Sequence, residues 1–149
     1  MHDYKNILIA VDFSHACEQV IQRGIHTSKQ NNASVFLIHI IENLPPIDIG
    51  YEPMTIPDWY DNETELIKHA KIKILTMAEE HGIPENHTKV ISGSPKLEII
   101  QFAENNEVDL IVIGSHGRHG LQRLLGSTSY PILHNATCDV LAVRIKDKA

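Results

Sequence analysis

The sequence has 149 residues, with 42% hydrophobic residues, 21% charged residues and a formal net charge of −6. This length suffices for one compact domain with its own hydrophobic core, so we expect residues 1–149 to form a single domain. No apolar run approaches the roughly 18 residues that a membrane-spanning helix needs, and the negative charge argues against general nucleic-acid binding.

Five short apolar runs are predicted to be strands. Runs such as Ile-Leu-Ile-Ala-Val and Leu-Ile-Val-Ile are continuous rather than alternating, which is typical of strands that are covered on both faces. In chain order, the predicted strands are Asn6–Val11, Ser34–Ile41, Lys89–Ser92, Asp109–Ile113 and Asp139–Arg144.

Segments with a helical period lie between these runs. In chain order, their predicted start signals are Ser14 as an N-cap, a capping box of Asn62 and Glu65, Ser94 followed by Pro95, and a last start near Ser127. Gly82 and Pro84 are predicted to end the second helix. The apolar positions of the four helices are Cys17, Val20, Ile21 and Ile25, then Leu66, Ala70, Ile74, Met77 and Ala78, then Leu97, Ile100 and Ala103, and finally Ile132 and Leu133.

Strands that alternate with helices in this way predict an α/β protein. Right-handed crossovers between parallel strands would build an open, doubly wound, five-stranded and mostly parallel sheet with four helices, which is a Rossmann-like arrangement. Ligands of such sheets bind beyond the carboxyl ends of the strands, at the switch point in strand order. The residues that follow each strand are therefore the first candidates for a binding site.

The segment Glu42–Tyr60 interrupts this alternation. It contains prolines and aromatic residues but no predicted element, and a connection of this length is often a binding loop or a lid. A lid or partner contact and a plain variable loop remain equal alternatives.

The chain termini and the less common residue types narrow the class of protein further. Residues 1–6 lead directly into an apolar run that is too short for a signal peptide, which predicts a cytoplasmic protein. Cys17 and Cys138 cannot make a disulfide framework and are interpreted as small buried hydrophobic residues. The ten histidines include no H-E-x-x-H motif and are not predicted to bind a metal.

Candidate ligand contacts follow the first two strands. Asp12, directly after Val11, could accept a hydrogen bond from a ligand hydroxyl or hold a cation such as Mg²⁺; alternatively, its charge simply favours the N-terminus of the next helix. His39, Ile40 and Ile41 could offer backbone groups and an apolar wall to a flat ring.

A glycine-rich segment, residues 114–128, follows the fourth predicted strand. Gly114 and Gly117 would allow the backbone to take positive φ and to approach a ligand closely, so that N–H groups point at the ligand. Ser115 lies between these glycines, and Arg118 follows them with a positive charge.

The same segment ends at the predicted start of the last helix. Gly126, Ser127 and Thr128 would bring free N–H groups, two hydroxyls and the positive end of the helix dipole to an anion. Arg123 adds further positive charge. The pattern favours a phosphate site, and the alternative is a tight strand-to-helix connection that holds no ligand.

This pattern resembles the universal stress protein family, whose signature is G-x-x-G, a spacer of nine residues and then G-[ST]. The matching positions are Gly114, Gly117, Gly126 and Ser127, and the opening Lys5–Ser14 and the closing Cys138–Arg144 are also typical of the family. The resemblance therefore covers essentially the whole chain.

The resemblance implies a sheet of the adenine nucleotide alpha hydrolase-like type, a cytoplasmic role in stress resistance, and homodimers that form by antiparallel pairing of the last strands, Val140–Arg144. It also implies that the chain binds ATP or AMP, with or without Mg²⁺. The cofactor-binding residues are then Val11, Asp12, His39, Ile40, Gly114, Ser115, Gly117, Arg118, Gly126, Ser127 and Thr128.

Eight residues separate Gly117 from Gly126, one fewer than in the family signature, which could move the helix N-terminus relative to Gly117. The leading hypothesis is a nucleotide-binding regulatory dimer with at most slow hydrolysis, because the sequence has no P-loop lysine motif and no nucleophile elbow. The alternatives are a dimeric interaction module without nucleotide, and an ATPase or phosphotransferase in which Asp12 holds Mg²⁺ and His116 or Arg118 contacts the phosphates.

Overall fold

The computed structural model describes residues 3–14, 16–42, 58–114 and 131–145, with only the backbone described for residues 58–64. In chain order, its elements are β1 (Asn6–Val11), α1 (Cys17–Asn31), β2 (Ser34–Glu42), α2 (Asp58–Glu80), a 3₁₀ helix (Glu85–His87), β3 (Thr88–Gly93), α3 (Pro95–Asn105), β4 (Leu110–Gly114) and β5 (Asp139–Val143). Residues 131–135 are also helical and fall within the predicted fourth helix.

The five strands form one open sheet with the order β3-β2-β1-β4-β5. All four strand pairs are parallel, so the predicted α/β sheet is confirmed and contains no antiparallel pair among the described strands. The chain builds outward from β1 through β2 to β3 and then crosses back to β4. The switch point in strand order therefore lies between β1 and β4.

Helices cover both faces of this sheet, as the doubly wound prediction requires. On one face, Ile7 and Ile9 of β1 pack in a core with residues of α1 and α2. On the other face, Leu8 and Ala10 pack in a second core with residues of α3 and with Ile132. Because neighbouring residues of β1 enter opposite cores, its apolar run is continuous.

The strand boundaries differ from the predicted ones by one residue in most places. β4 begins at Leu110 rather than Asp109, and it includes Gly114. Asp109 instead accepts hydrogen bonds with its carboxylate from the backbone N–H groups of Lys5, at 2.9 Å, and Asn6, at 3.1 Å. This carboxylate therefore joins the starts of β1 and β4 rather than belonging to the strand.

The prediction that Ser14 caps α1 was wrong. The helix begins at Cys17, its N-cap is Ala16, and the Cys17 amide donates to the Ser14 carbonyl at 3.0 Å. Ser14 donates its own N–H to the Asp12 carboxylate at 3.0 Å. Ser14 thus belongs to a separate turn after β1, and the helix starts only after that turn.

The predicted capping box before α2 was also wrong, because the helix begins at Asp58 and contains Asn62 in its second turn. The segment Glu42–Tyr60 is correspondingly shorter than predicted, since Glu42 ends β2 and residues 58–60 belong to α2. Residues 43–57, with the proposed lid or partner contact, lie outside the described residues.

The predicted ends of the other helices agree better with the structure. α2 ends at Glu80 and is followed by Gly82 with φ 71°, while Ser94 and Pro95 open α3 as expected. Three leucines that were assigned to apolar helix faces are exposed instead, namely Leu66, Leu97 and Leu133. Among the helices that the structure describes, none has the length and apolar character needed to cross a membrane.

Gly24 marks a close approach of α1 to the sheet. A methyl group at this position would overlap Cδ1 of Ile9 and would lie 2.6 Å from its Cγ1 atom, and Ile9 is fully buried in β1. The missing side chain therefore lets α1 lie against β1 and start beside the end of that strand.

We expect Gly24→Ala to lower the free energy of unfolding by about 1–3 kcal/mol through overpacking, although alanine is ordinarily the better helix former. Urea unfolding would measure this change, with Gln30→Ala on the exposed face of α1 as the control. Adding Ile9→Val, which removes Cδ1, should recover part of the loss. A Gly24→Ala variant as stable as the parent would contradict the prediction.

Candidate functional site

The carboxyl ends of β1, β2 and β4 bring several predicted site residues to one edge of the sheet. Val11 ends β1 and is paired in register with His39 of β2, and Gly114 ends β4 on the other side of β1. Ile40 follows His39 and is buried. The predicted position of these four residues at the carboxyl edge of the sheet therefore agrees with the structure, and their role in binding stays a prediction.

The turn after β1 places Asp12 at the switch point. Asp12 Oδ1 accepts a hydrogen bond from the Ser14 amide at 3.0 Å, a local turn that aspartate favours. Between these two residues, Phe13 has φ 60°, which is a strained conformation for a bulky side chain. Such strain persists only where the surroundings over-determine the backbone, and it is often found at functional sites.

The side chains of Phe13 and His39 are stacked. Their ring centroids lie 3.9 Å apart with an interplanar angle of 26°. His39 Nδ1 lies 2.7 Å from the carbonyl oxygen of Val11, so the imidazole is fixed both by its hydrogen bond to β1 and by its contact with Phe13. Lys73 of α2 holds its Nζ atom 5.4 Å from the centroid of Phe13, a cation–π contact.

Burial lowers the pKa of His39, while the Val11 carbonyl and the charge of Asp12 act in the opposite direction. Burial likewise raises the pKa of the Cys17 thiol to about 11, and Asp12 adds to this shift. Cys17 is thus a buried, protonated thiol, as predicted, whereas Cys138 is only half-buried.

Two polar atoms of this turn are buried without a hydrogen-bond partner in the part of the chain that the structure describes. They are the second carboxylate oxygen of Asp12, Oδ2, and the hydroxyl oxygen of Ser14. Buried polar atoms are nearly always paired in native proteins, so unpaired ones need an explanation. A carboxylate oxygen at the switch point of a parallel sheet can accept a hydrogen bond from a ligand hydroxyl or coordinate a cation.

A mainly apolar cleft of about 550 Å³ opens beside this turn. Its lining residues come from the β1–α1 turn, the end of β2 and the exposed face of α2: Phe13, His39, Ile40, Ile41, Glu42, Leu66, His69, Ala70, Ile72 and Lys73. Apolar walls with a few polar groups are typical of small-molecule sites. The cleft can therefore receive a flat apolar group next to the turn that holds Asp12.

The sequence interpretation missed Phe13 and the α2 residues of this cleft. Leu66 and Ala70 had been assigned to the buried face of α2, and their spacing with His69 and Lys73 was the available signal that these residues share one side of the helix. Leu66 is 51% exposed and lines the cleft instead. The β1–α1 turn and the end of β2, both far away in sequence, make this side of α2 a cleft wall.

The predicted phosphate-binding residues could not be placed. Ser115, Gly117, Arg118, Gly126, Ser127 and Thr128, together with His116 and Arg123, lie outside the described residues. Gly114 is described, and it corrects one expectation. It continues β4 as a buried strand residue that is paired with Val143, rather than opening the turn with positive φ.

A second group of possible ligand atoms lies away from this edge, between α1 and the end of α2. His81 Nε2 lies 2.9 Å from Glu18 Oε1, and Glu80 brings a third group, with all ligand atoms within 4.8 Å of one another. Glu18 is distant from His81 in sequence, so the spacing of residues along the chain does not reveal this group. The contact of His81 with Glu18 is an ion pair when the imidazole is protonated.

The sequence matches the model of the universal stress protein family over residues 3–144. It is 40% identical over 147 residues to universal stress protein A homolog 1 of Coxiella burnetii, which covers 99% of this chain and 100% of that protein. Among solved structures, a universal stress protein in complex with cAMP has a TM-score of 0.62 at 20% identity, covering 95% of this chain and 98% of that one. A family member from Arabidopsis thaliana with AMP bound has a TM-score of 0.64 at 18% identity, covering 95% of this chain and 92% of that one.

The lowered pKa of His39 makes a prediction about stability. The folded state binds a proton at His39 more weakly than the unfolded state does. The contribution of neutral His39 to the free energy of unfolding is therefore fully present above about pH 6.5 and is lost as the pH falls through the folded-state pKa. His39→Phe keeps an aromatic ring on Phe13 but cannot take up the proton. We therefore expect a smaller loss of unfolding free energy in this variant than in the parent between about pH 7.5 and about pH 5.

Urea unfolding at a series of pH values would measure this difference. His26→Phe, on the exposed side of α1, controls for the removal of one imidazole from the chain. An identical pH dependence in the parent and in His39→Phe would refute the prediction.

Proposed function

This chain belongs to the universal stress protein family, and we propose that it binds an adenine nucleotide, ATP or AMP, at the carboxyl edge of its sheet. The observation that carries this proposal is that Oδ2 of Asp12, at the switch point between β1 and β4, is buried and has no hydrogen-bond partner among the residues that the structure describes. A ribose hydroxyl would donate a hydrogen bond to this oxygen.

The cleft beside Asp12 supports the base end of the same ligand. Phe13, His39 and Ile40 contribute aromatic and apolar surface to this cleft, and a flat heterocycle fits such walls. Relatives of the same fold have been solved with AMP and with cAMP, which share an adenosine group. The base and the ribose of an adenine nucleotide thus match the two features of the described edge.

The phosphates are proposed to lie toward Gly117, Arg118 and the start of the last helix, where the sequence predicts N–H groups and positive charge. Mg²⁺ is compatible with the donor set, because a carboxylate oxygen such as Asp12 Oδ2, which has no partner in the described part of the chain, is the type of ligand that Mg²⁺ prefers. In this proposal the protein is a cytoplasmic regulator of stress resistance that reports nucleotide state, rather than a fast hydrolase.

The regulator is further proposed to be a homodimer. β5 is the last strand of the sheet order, and three of its residues, Val140, Leu141 and Ala142, are only half-buried. An edge strand tends to pair with another chain unless it is protected. Antiparallel pairing of two copies through residues 140–144 would cover this edge.

One observation favours a second function, a dimeric interaction module that binds no nucleotide. The spacer between Gly117 and Gly126 has eight residues instead of the nine of the family signature. A helix start displaced by about 1 Å can strongly weaken a positioned site. In such a module, Asp12 would act only through the turn that it forms with Ser14.

Nucleotide binding predicts that gently purified protein carries ATP, ADP or AMP and that millimolar AMP or ATP raises its melting temperature. Asp12→Ala should weaken AMP binding about 10- to 100-fold, since a hydrogen bond to a charged group is worth roughly 1.5–3 kcal/mol. Isothermal titration calorimetry would measure both dissociation constants.

Asp109→Ala is the matched control for this substitution. Asp109 is a carboxylate at the opposite edge of the sheet that accepts backbone N–H groups, so its loss should lower stability and leave the AMP dissociation constant of the folded protein unchanged. Protein without bound nucleotide and without a thermal shift would support the interaction module instead.

The dimer predicts a specific effect at Ala142, which lies in the middle of the range 140–144 and would face its own copy across a two-fold axis. Ala142→Glu would place like charges opposite each other, which is destabilising in a strand pair. We expect the dimer dissociation constant to rise by at least about tenfold, or ~1.4 kcal/mol.

Sedimentation equilibrium would measure this constant, with Gln101→Glu on the exposed side of α3 as a control for the added charge. A monomeric parent at all concentrations, or equal dimer affinity in both variants, would rule out this interface.

A further inference from the structure

A histidine and two glutamates bring their ligand atoms together between α1 and the end of α2. Nε2 of His81 lies 2.9 Å from Oε1 of Glu18, and a carboxylate oxygen of Glu80 lies within 4.8 Å of both atoms. Among the residues that the structure describes, no other three histidine, cysteine or carboxylate side chains converge this closely. None of the three residues lines the cleft beside the β1–α1 turn.

The backbone that carries His81 is held by the way in which α2 ends. His81 is the first residue after the helix, and its amide donates to the carbonyl oxygens of Met77 and Ala78, at 3.2 Å each. Gly82 then takes φ 71°, and the amide of Ile83 donates to the carbonyl oxygen of Ala78 at 2.8 Å. A residue of positive φ directly after a helix is a common helix end. Because Ala78 and Ile83 are buried, this end is anchored in the core.

The contact between His81 and Glu18 is short but poorly aligned. Nε2 of His81 is buried, and only 16% of the side chain is exposed. Oε1 of Glu18 lies out of line with the N–H direction of the ring, so Nε2 has no well-formed hydrogen bond among the described residues. Buried polar atoms are nearly always paired in native proteins. A buried nitrogen that is close to a carboxylate and misaligned with it indicates a third group between the two.

A divalent metal ion has the geometry of this third group. Zn²⁺ binds imidazole nitrogen and carboxylate oxygen atoms at about 2.0–2.2 Å in a tetrahedral arrangement. Two ligand atoms of one such ion are therefore about 3.3 Å apart, and the ion lies to one side of the line that joins them. The misaligned contact of His81 with Glu18 has this form. Glu80 is exposed, so its carboxylate is able to rotate toward the same ion.

The charge of the group also suits a cation. Two carboxylates and a neutral imidazole together carry two negative charges, which a divalent ion neutralises. In the described part of the chain, no lysine or arginine forms an ion pair with Glu18 or Glu80. The imidazole narrows the choice of ion, because Mg²⁺ and Ca²⁺ prefer oxygen ligands, whereas imidazole suits Zn²⁺ and other first-row transition metals.

We propose that Glu18, Glu80 and His81 form a binding site for a first-row transition-metal ion, with Zn²⁺ as its reference ion. Three protein ligands leave one position of a tetrahedral ion to water or to an outside ligand, as in zinc sites that remain open. The ion would join the first turn of α1 to the end of α2. This site uses no residue of the cleft and does not depend on the proposed nucleotide function.

Isothermal titration calorimetry of the metal-free parent with Zn²⁺ tests this site. Glu18→Gln and Glu80→Gln each preserve the shape of the side chain, remove one charged ligand and leave all ten histidines in place. We expect each variant to raise the Zn²⁺ dissociation constant at least about tenfold, since even the outer partners of metal ligands change affinity by roughly 10–100-fold. Millimolar Mg²⁺ should not displace Zn²⁺ from the parent.

Glu65→Gln is the matched control on α2. The carboxylate of Glu65 also lies near an imidazole, 4.0 Å from Nε2 of His69, but no third ligand group joins this pair among the described residues. This variant should keep the Zn²⁺ affinity of the parent. Asp12→Ala should keep it as well, because Asp12 is not a ligand of the proposed ion.

Thermal unfolding provides a second measurement, since an ion that binds only the folded state raises the melting temperature. Zn²⁺ should raise it more in the parent and in Glu65→Gln than in Glu18→Gln. A parent that binds no Zn²⁺ at micromolar concentration would overturn the proposal. Equal Zn²⁺ affinity in Glu18→Gln and Glu65→Gln would assign the binding to other histidines and would also overturn it. Loss of Zn²⁺ binding in Asp12→Ala would move the ion to the carboxyl edge of the sheet, with the same consequence.

Discussion

Because β1 pairs in parallel with β2 on one side and with β4 on the other, its carboxyl end lies where the two halves of the chain separate. Both faces of β1 are buried, so Leu8 and Ile9 are inaccessible to solvent and the strand has no freedom to shift its register. Asp12 follows directly and is carried to a fixed place at the switch point. The geometry of the candidate site is thus a consequence of the central strand rather than of the site residues alone.

The turn that follows β1 combines a local strain with two contacts that hold it. Phe13 takes φ 60°, and conformations of this kind cost of the order of 1–3 kcal/mol. The hydrogen bond from the Ser14 amide to Asp12 and the stack of Phe13 on His39 both depend on that conformation. In turn, the stack fixes the imidazole that faces the cleft, so a strained backbone and a positioned ring belong to one local arrangement.

The sheet could be predicted from the sequence because its signal is local. An uninterrupted apolar run such as Ile7–Val11 is long enough for a strand and too short for a helix, and its boundaries were predicted correctly. The helix starts were harder, because a serine at position 14 has the same local preference for an N-cap and for a turn. Ser14 forms a turn rather than an N-cap, because its amide donates a hydrogen bond to the carboxylate of Asp12.

The side chains of the site show the same division. The sequence predicts that Asp12 follows β1 and that His39 lies near the end of β2. It also predicts that the two residues share one edge of the sheet. The bond between His39 and Val11 joins residues 28 positions apart, and the cleft wall on α2 lies still further along the chain. Such contacts depend on the register of β1 with β2 and on the rotation of α2 over the sheet, and no spacing rule along the chain contains either quantity.

The two ends of the proposed ligand are assigned to separate parts of the chain. The eight-residue spacer between Gly117 and Gly126 would therefore affect only one of these ends. The base and ribose contacts are proposed for the β1–α1 turn, the end of β2 and α2, and the residues of these elements that line the cleft all precede position 74. The phosphate contacts are predicted only for residues 114–128. A displaced helix start after an eight-residue spacer would therefore weaken the hold on the phosphates without altering Asp12, Phe13 or His39. The choice between a nucleotide-binding regulator and a nucleotide-free module then depends on whether the nucleoside end alone provides enough affinity. Asp12 Oδ2, which lacks a partner among the described residues, and the fixed ring of His39 favour the regulator.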